Sequence, residues 1–146
     1  MSRIRVGITI DAPRDAVWQA IENIPSHVDW MTDAVAIRMT TSRRRGTGTR
    51  FECDTRIGPF ALTDEMEITE WKPKREMGVR HVGVVSGEGR FVLRRRAGDQ
   101  TRFTWTETLR FPLWMGGPVG AAASAPVMRM VWRRNLRNLR ALVEAR

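Results

Sequence analysis

The C-terminal segment carries the pattern that most limits what this chain can fold into. Met128, Val131, Trp132, Asn135, Leu136, Leu139, Leu142 and Val143 recur at helical spacing on one broad stripe, and Arg133, Arg134, Arg137 and Arg140 occupy the rest of the circumference. Such a helix of about 20 residues has to lay its apolar stripe on a surface supplied by the rest of the chain. The preceding Gly116–Ala125 stretch is expected as a separate helical piece or a kinked continuation, because Pro126 brings no N–H of its own.

What precedes it supplies that surface as strands. Ile4, Val6, Ile8 and Ile10 alternate with Arg5, Gly7 and Thr9, a period of two that makes an opening strand with one buried face. Asp11, two residues before Pro13, is expected to cap a first helix carrying Val17, Trp18, Ile21 and Ile24, which Pro25 ends. Ser26 is expected to cap a second, very short helix with Val28, Trp30 and Met31. The period then returns to two. Strands are predicted around Val35–Met39, around Phe51 and Cys53, from Leu62 through Ile68, from Glu76 to Val84, through Phe91 and Leu93, and from Phe103 to Leu109. Short turns join them: Arg43-Arg44-Arg45-Gly46, Gly58-Pro59, Lys72-Pro73, Ser86-Gly87 and Gly98-Asp99. Parallel strands need long crossovers, so short turns imply an antiparallel meander. A sheet this wide curls under its own twist. The fold class is therefore α+β: a seven-stranded curved antiparallel sheet gripping a long C-terminal helix, with two short helices after the first strand.

Residues 1–146 suffice for a single domain. Apolar residues make up 42% and charged residues 28%, which excludes a disordered chain. Cys53 has no disulfide partner, as expected of a cytoplasmic protein. The charged start of the chain lacks the apolar core of a signal peptide. The uncharged stretch 111–128 is broken by Pro112, Pro118 and Pro126, which argues against a spanning helix. The net charge of +9 comes from 23 arginines and 2 lysines, a balance suited to anionic partners or simply to a solvated surface.

The element order, together with particular segments, resembles the START-like helix-grip (SRPBCC) superfamily, and within it the polyketide cyclase/dehydrase and lipid-transport group. Ile8-Thr9-Ile10-Asp11-Ala12-Pro13 with Val17-Trp18 and Ile21 is similar to that group's first strand and helix. His27 through Trp30 resembles its second helix, and Gly46-Thr47-Gly48-Thr49-Arg50 and Thr101-Arg102-Phe103-Thr104 resemble the starts of its third and last strands. Pro112-Leu113, Gly117-Pro118-Val119-Gly120, Pro126-Val127, Asn135-Leu136 and Leu139 resemble its gripping helix. The resemblance implies a cavity between the concave sheet and the long helix, used by relatives for lipids, sterols, polyketides or hormones. It selects no single reaction.

Candidate site residues follow from strand alternation. Glu107 shares a face with Phe103, Trp105 and Leu109, and Asp64 with Leu62, Met66 and Ile68. A carboxylate in an apolar cavity has a raised pKa and can act as general acid or base. The structural alternative is that Glu107 pairs with an arginine such as Arg50 or Arg90, or turns to solvent at a bulge. Asn135, the polar residue within the helix stripe, either donates to a ligand carbonyl or caps a strand carbonyl. His81 is an acid/base candidate on the fifth strand, and His27 a weaker one near the mouth. Trp30, Phe51, Met66, Phe91, Trp105, Trp114, Met128 and Trp132 are expected to line the ligand space with His81 and Asn135, Trp105 and Trp132 facing each other from strand and helix. The Leu113–Ala125 stretch is expected as a mobile lip.

Two histidines and one cysteine offer no metal-ligand spacing, and no cofactor is implied. Gly87-Glu88-Gly89 and Gly116-Gly117 are read as turn and loop glycines, outside any phosphate-binding context. The chain lacks tyrosine, so a cyclase mechanism built on a phenol is excluded. Three functions fit. The first is binding of a hydrophobic small molecule: a lipid, a polyketide or another ring-containing ligand. The second is a polyketide-type cyclase/dehydratase using Glu107 or Asp64, with mouth arginines meeting an acyl-carrier protein. The third is a basic interaction module for RNA or an anionic membrane.

Overall fold

The computed structural model describes residues 2–146. Strand β1 (Ser2–Ile10) is followed by helix α1 (Arg14–Ile21) and a 3-10 helix at Ile24–Asp29. Strands β2 (Ala34–Met39), β3 (Arg50–Ile57), β4 (Phe60–Lys72), β5 (Glu76–Val82), β6 (Ser86–Arg96) and β7 (Gln100–Arg110) come next. A 3-10 turn at Leu113–Met115 then leads into helix α2 (Gly117–Glu144). The seven strands form one antiparallel sheet in the order β1-β7-β6-β5-β4-β3-β2, a meander with β1 folded back onto its last strand. The predicted fold class is what is observed.

Period-two patterning explains the sheet's two faces. Directly paired residues share a face, so Val6 opposite Trp105 and Met77 opposite Phe91 put the apolar set of each strand on the concave side. A bulge between Ile68 and Glu70 shifts the alternation of β4, so that Trp71 comes into register with Met77. Trp71 then packs edge-on against Trp18 of α1, with ring centroids 5.1 Å apart. α1 closes this end of the core with Val17, Trp18, Ala20 and Ile21.

α2 lies along β1 and β7 with Trp132, Leu136, Leu139 and Val143 buried. Each such side chain contributes about 1.5–3 kcal/mol on leaving water. The helix runs unbroken from Gly117, with Pro126 inside it, rather than as two pieces.

Four local expectations are corrected. Asp11 does not cap α1: Pro13 holds the N-cap position in extended backbone, and the Asp11 N–H instead donates to Glu144 Oε2 at the far end of the chain (2.8 Å). α1 ends at Ile21, before Pro25; Ile24 belongs to the 3-10 helix instead, and Pro25 sits at its start, where the missing N–H costs nothing. Ser26 does not cap that helix from outside; Asn23 stands at the cap, and Ser26 Oγ donates to its carbonyl. Ser86-Gly87 already belongs to β6, the turn being made by Gly83, Val84 and Val85.

Candidate functional site

Between α2 and the concave faces of β3, β4 and β5 lies a cavity of about 700 Å³. Ligand pockets run from about 300 to 1,000 Å³, so the space suits a molecule of several rings. Phe51, Met66, Met77, Phe91, Trp105 and Trp132 are among its walls, and Met128, Phe60 and Trp114 stand nearer the opening. Of the residues expected from sequence, Phe51, Asp64, Met66, His81, Phe91, Trp105, Glu107, Trp114, Met128 and Trp132 all border it. Trp132 stacks on Trp105 with centroids 4.9 Å apart and planes at 22°, strand against helix.

Two expected residues stand outside it. Trp30 is buried behind the wall, edge-on to Trp105 at 6.1 Å and tilted against Phe91 at 5.9 Å. Asn135 is fully buried and spends its amide on the 32–33 loop. Its Oδ1 accepts from the Thr32 N–H and hydroxyl (2.9 Å each), and its Nδ2 donates to Asp33 Oδ1 (2.7 Å). It therefore faces neither a ligand nor a strand carbonyl; it ties helix to loop. The Leu113–Ala125 stretch is the 3-10 turn and the first turns of α2.

The polar groups of the cavity gather on neighbouring strands. Glu107 on β7 accepts from Trp105 Nε1 at Oε1 (3.1 Å), and its Oε2 lies 2.9 Å from His81 Nε2 on β5. The His81–Glu107 contact is thus a pair at hydrogen-bonding distance, charged on both sides when the imidazole is protonated. The arginines expected as structural partners are engaged elsewhere: Arg50 with Glu67, Arg90 with Glu76.

One strand, β6, lies between β5 and β7, so their backbones stand roughly 9–10 Å apart, and a side chain on β6 would block the path between them. Glycine solves this. Gly87 faces His81 and Gly89 faces Glu107 in register, and a Cβ on Gly89 would stand 2.7 Å from Glu107 Cδ. These are strand residues on the concave face, not the turn glycines expected from sequence. Their spacing of two, in phase with Phe91 and Leu93, was the available signal.

Burial alone would lower the His81 pKa. The Glu107 carboxylate and, to a lesser extent, Asp64 from the β4 side outweigh burial and hold it above its ordinary value. Burial pushes the Asp64 carboxyl up, with His81 opposing, and Asp64 Oδ1 is buried without a hydrogen-bond partner. Asp33, a wall residue that sequence reasoning missed, is likewise raised by burial against its Asn135 bond. His27 also borders the cavity, but burial lowers its pKa to about 4 while its Nε2–H donates to the Ile21 carbonyl (2.6 Å). Burial likewise pushes the Cys53 thiol up to about 11. Among the described residues, no group of three His, Cys, Asp or Glu side chains is placed to hold a metal ion.

The model of the family described as polyketide cyclase / dehydrase and lipid transport matches residues 1–144. The chain belongs to that family. Solved structures of low sequence identity share its fold. A protein of Thermus thermophilus, TTHA0849, superposes with a TM-score of 0.82 at 19% identity, covering 99% of this chain and 98% of that one. A START superfamily protein from Mycobacterium smegmatis gives 0.79 at 11%, with 98% and 97% covered. The Zhui aromatase/cyclase from a Streptomyces species gives 0.74 at 16%, with 98% and 93% covered. No curated protein matches the sequence. At such identities the likeness speaks for the fold of this polyketide cyclase/dehydrase and lipid-transport family member and leaves its chemistry to its own residues.

Proposed function

We propose that this protein binds an apolar small molecule with a fused-ring or similar bulky skeleton, and sets the ligand's polar end against Asp64, His81 and Glu107. One observation carries the reading: a roughly 700 Å³ apolar cavity with its acid and base groups clustered on β4, β5 and β7. Asp64 Oδ1, buried and without a partner, suits a ligand hydroxyl or carbonyl, since an unmet buried polar group costs about 1–3 kcal/mol that a ligand contact recovers. The protein is expected to act in the cytoplasm without a cofactor. Native mass spectrometry of the purified protein tests the reading. A stoichiometric apolar adduct, lost when Met66→Trp fills the cavity, supports it; an adduct that persists in that variant refutes it.

A second reading has its own observation, the His81–Glu107 pair inside apolar walls. It supports cyclase/dehydratase chemistry on a polyketide-like β-hydroxy carbonyl chain. Glu107 or Asp64 takes the proton α to the carbonyl while the His81 imidazolium gives its proton to the departing hydroxyl, which leaves as water. Proton return from the carboxylic acid to the imidazole resets the pair across 2.9 Å where Glu107 is the base. An acyl-carrier protein presenting the chain would meet the arginines of α2. Loss of water from such a substrate should fall at least about 100-fold in Glu107→Gln, the scale of a lost acid–base group. Unchanged turnover would remove Glu107 from the chemistry.

A further inference from the structure

The rim of the cavity is built differently from its interior. Leu113 is 88% exposed, Trp114 77%, Val119 77% and Met130 63%, and on the opposite lip Phe60, at the start of β4, is 63% exposed. Scattered exposed apolar residues need no explanation, but Phe60, Trp114 and Val127 all border the cavity, Leu113 adjoins Trp114 in the 3-10 turn, and Val119 and Met130 lie on the same side of α2 as Val127. Contiguous exposed apolar surface of this kind marks an interaction site.

The lip is also a preformed object. Gly116 lies in the left-handed region (φ 94°), and a Cβ there would stand 2.9 Å from Gly120 Cα. A Cβ on Gly120 would run into the Met115 carbonyl. The turn that holds out Leu113 and Trp114 is thus packed tightly onto the first turn of α2, backbone against backbone.

Charge says what the rim meets. Val119, Ala123, Val127 and Met130 follow one outward stripe of α2 at i, i+4, i+8 and i+11, and the exposed Arg134 and Arg137 continue it. Residues 111–143 contain five arginines and no aspartate or glutamate. An apolar half-stripe followed by a basic half-stripe is the surface that an anionic bilayer complements. The apolar part enters the acyl boundary, and the guanidinium groups pair with headgroup phosphates. Among the described residues no helix is long and apolar enough to cross a membrane, so the contact is a peripheral one.

We infer that the cavity mouth docks on an anionic lipid surface through Leu113, Trp114, Val127 and Met130, with Arg134 and Arg137 supplying the attraction. Docking so would set the opening of the cavity against the bilayer. Co-flotation with vesicles tests it directly: phosphatidylcholine alone against equal parts phosphatidylcholine and phosphatidylglycerol. The full chain should float with the anionic vesicles and not with the neutral ones, and added salt should weaken the association. Leu113→Glu/Trp114→Glu should cut partitioning by roughly 100-fold or more, the effect of withdrawing two large apolar side chains. Arg134→Gln/Arg137→Gln should cut it by about 25-fold at low salt, about fivefold for each basic side chain near the surface. All four positions are exposed, so circular dichroism should show both variants folded. Failure of the wild-type protein to float, or flotation unchanged in both variants, overturns the inference. So does sedimentation as a dimer that Leu113→Glu/Trp114→Glu splits, which would give the rim to a second copy. Binding of single-stranded RNA without vesicle binding overturns it as well.

Discussion

Glu107→Gln isolates the electrostatics of the cavity, because glutamine keeps an oxygen for Trp105 Nε1 while removing the charge that faces His81. In the native protein His81 has a raised pKa, so its contribution to stability is complete below its unfolded value of 6.5 and is lost as pH rises through the folded value. Without the carboxylate, burial becomes the dominant influence and the His81 pKa falls from its native position. Near pH 6 the variant should lose about 3–5 kcal/mol, the usual cost of taking one partner from a buried ion pair. For a chain of this length that is roughly 6–20 °C in melting temperature. The deficit should shrink as pH rises through the native His81 pKa, because a neutral imidazole needs no counter-charge. His27 adds the same term to both proteins and cancels. Proton NMR is simple here, with two imidazoles in the chain and one of them, His27, titrating at about 4. Urea denaturation across the same pH range gives the stability difference. An unchanged His81 titration in the variant, or a stability deficit independent of pH, would refute the pairing.

Other substitutions probe separate parts of the structure. Gly89→Ala should cost about 1–3 kcal/mol by overpacking against Glu107 and should shift the His81 titration; a wild-type titration with wild-type stability would count against the bridge over β6. Asn135→Ala should cost about 2–4 kcal/mol, since it leaves Asp33 and the Thr32 N–H without their partner, and thermal denaturation measures it. Burial of neutral His27 makes the protein lose roughly 3 kcal/mol as pH falls from 6.5 through about 4, and a His27→Gln variant should remove that part of the acid transition. Trp132→Ala should cost about 3–5 kcal/mol while enlarging the cavity, so a hydrophobic fluorescent probe should bind the folded variant at least as well as the wild-type protein.

The sheet and the gripping helix were legible because periodicity records which face is buried, and each strand's apolar set lies where the alternation put it. Glu107 and Asp64 were placed inside on the same grounds, as was the Trp105–Trp132 stack. What the sequence withheld depends on neighbours far along the chain. Asn135 meets Thr32 across 103 residues, and nothing in a helical stripe tells whether its polar member will face a ligand or a loop. The partner of Glu107 was sought among arginines because they abound, yet the register of β5 against β6 brings His81 instead. Gly87 and Gly89 look like turn residues until β6 is known to run through them. Asp11 carried a good capping signature, but Pro13 takes the cap position and the closing strap from Glu144 claims the Asp11 N–H.

Gly89 has consequences beyond its own position. A glycine inside a strand weakens the strand and packs nothing, so on stability alone a β-branched residue would be favoured there. Filling that position would complete the wall between β5 and β7 and drive the Glu107 carboxylate from its seat. In the turn after β5, a Cβ on Gly83 would likewise come against Asp64 Oδ1. At Gly89 the chain gives up core packing where a buried carboxylate needs room. A loss of stability at the polar end of an apolar cavity is what a binding or reacting site requires, and what a purely structural core would have eliminated.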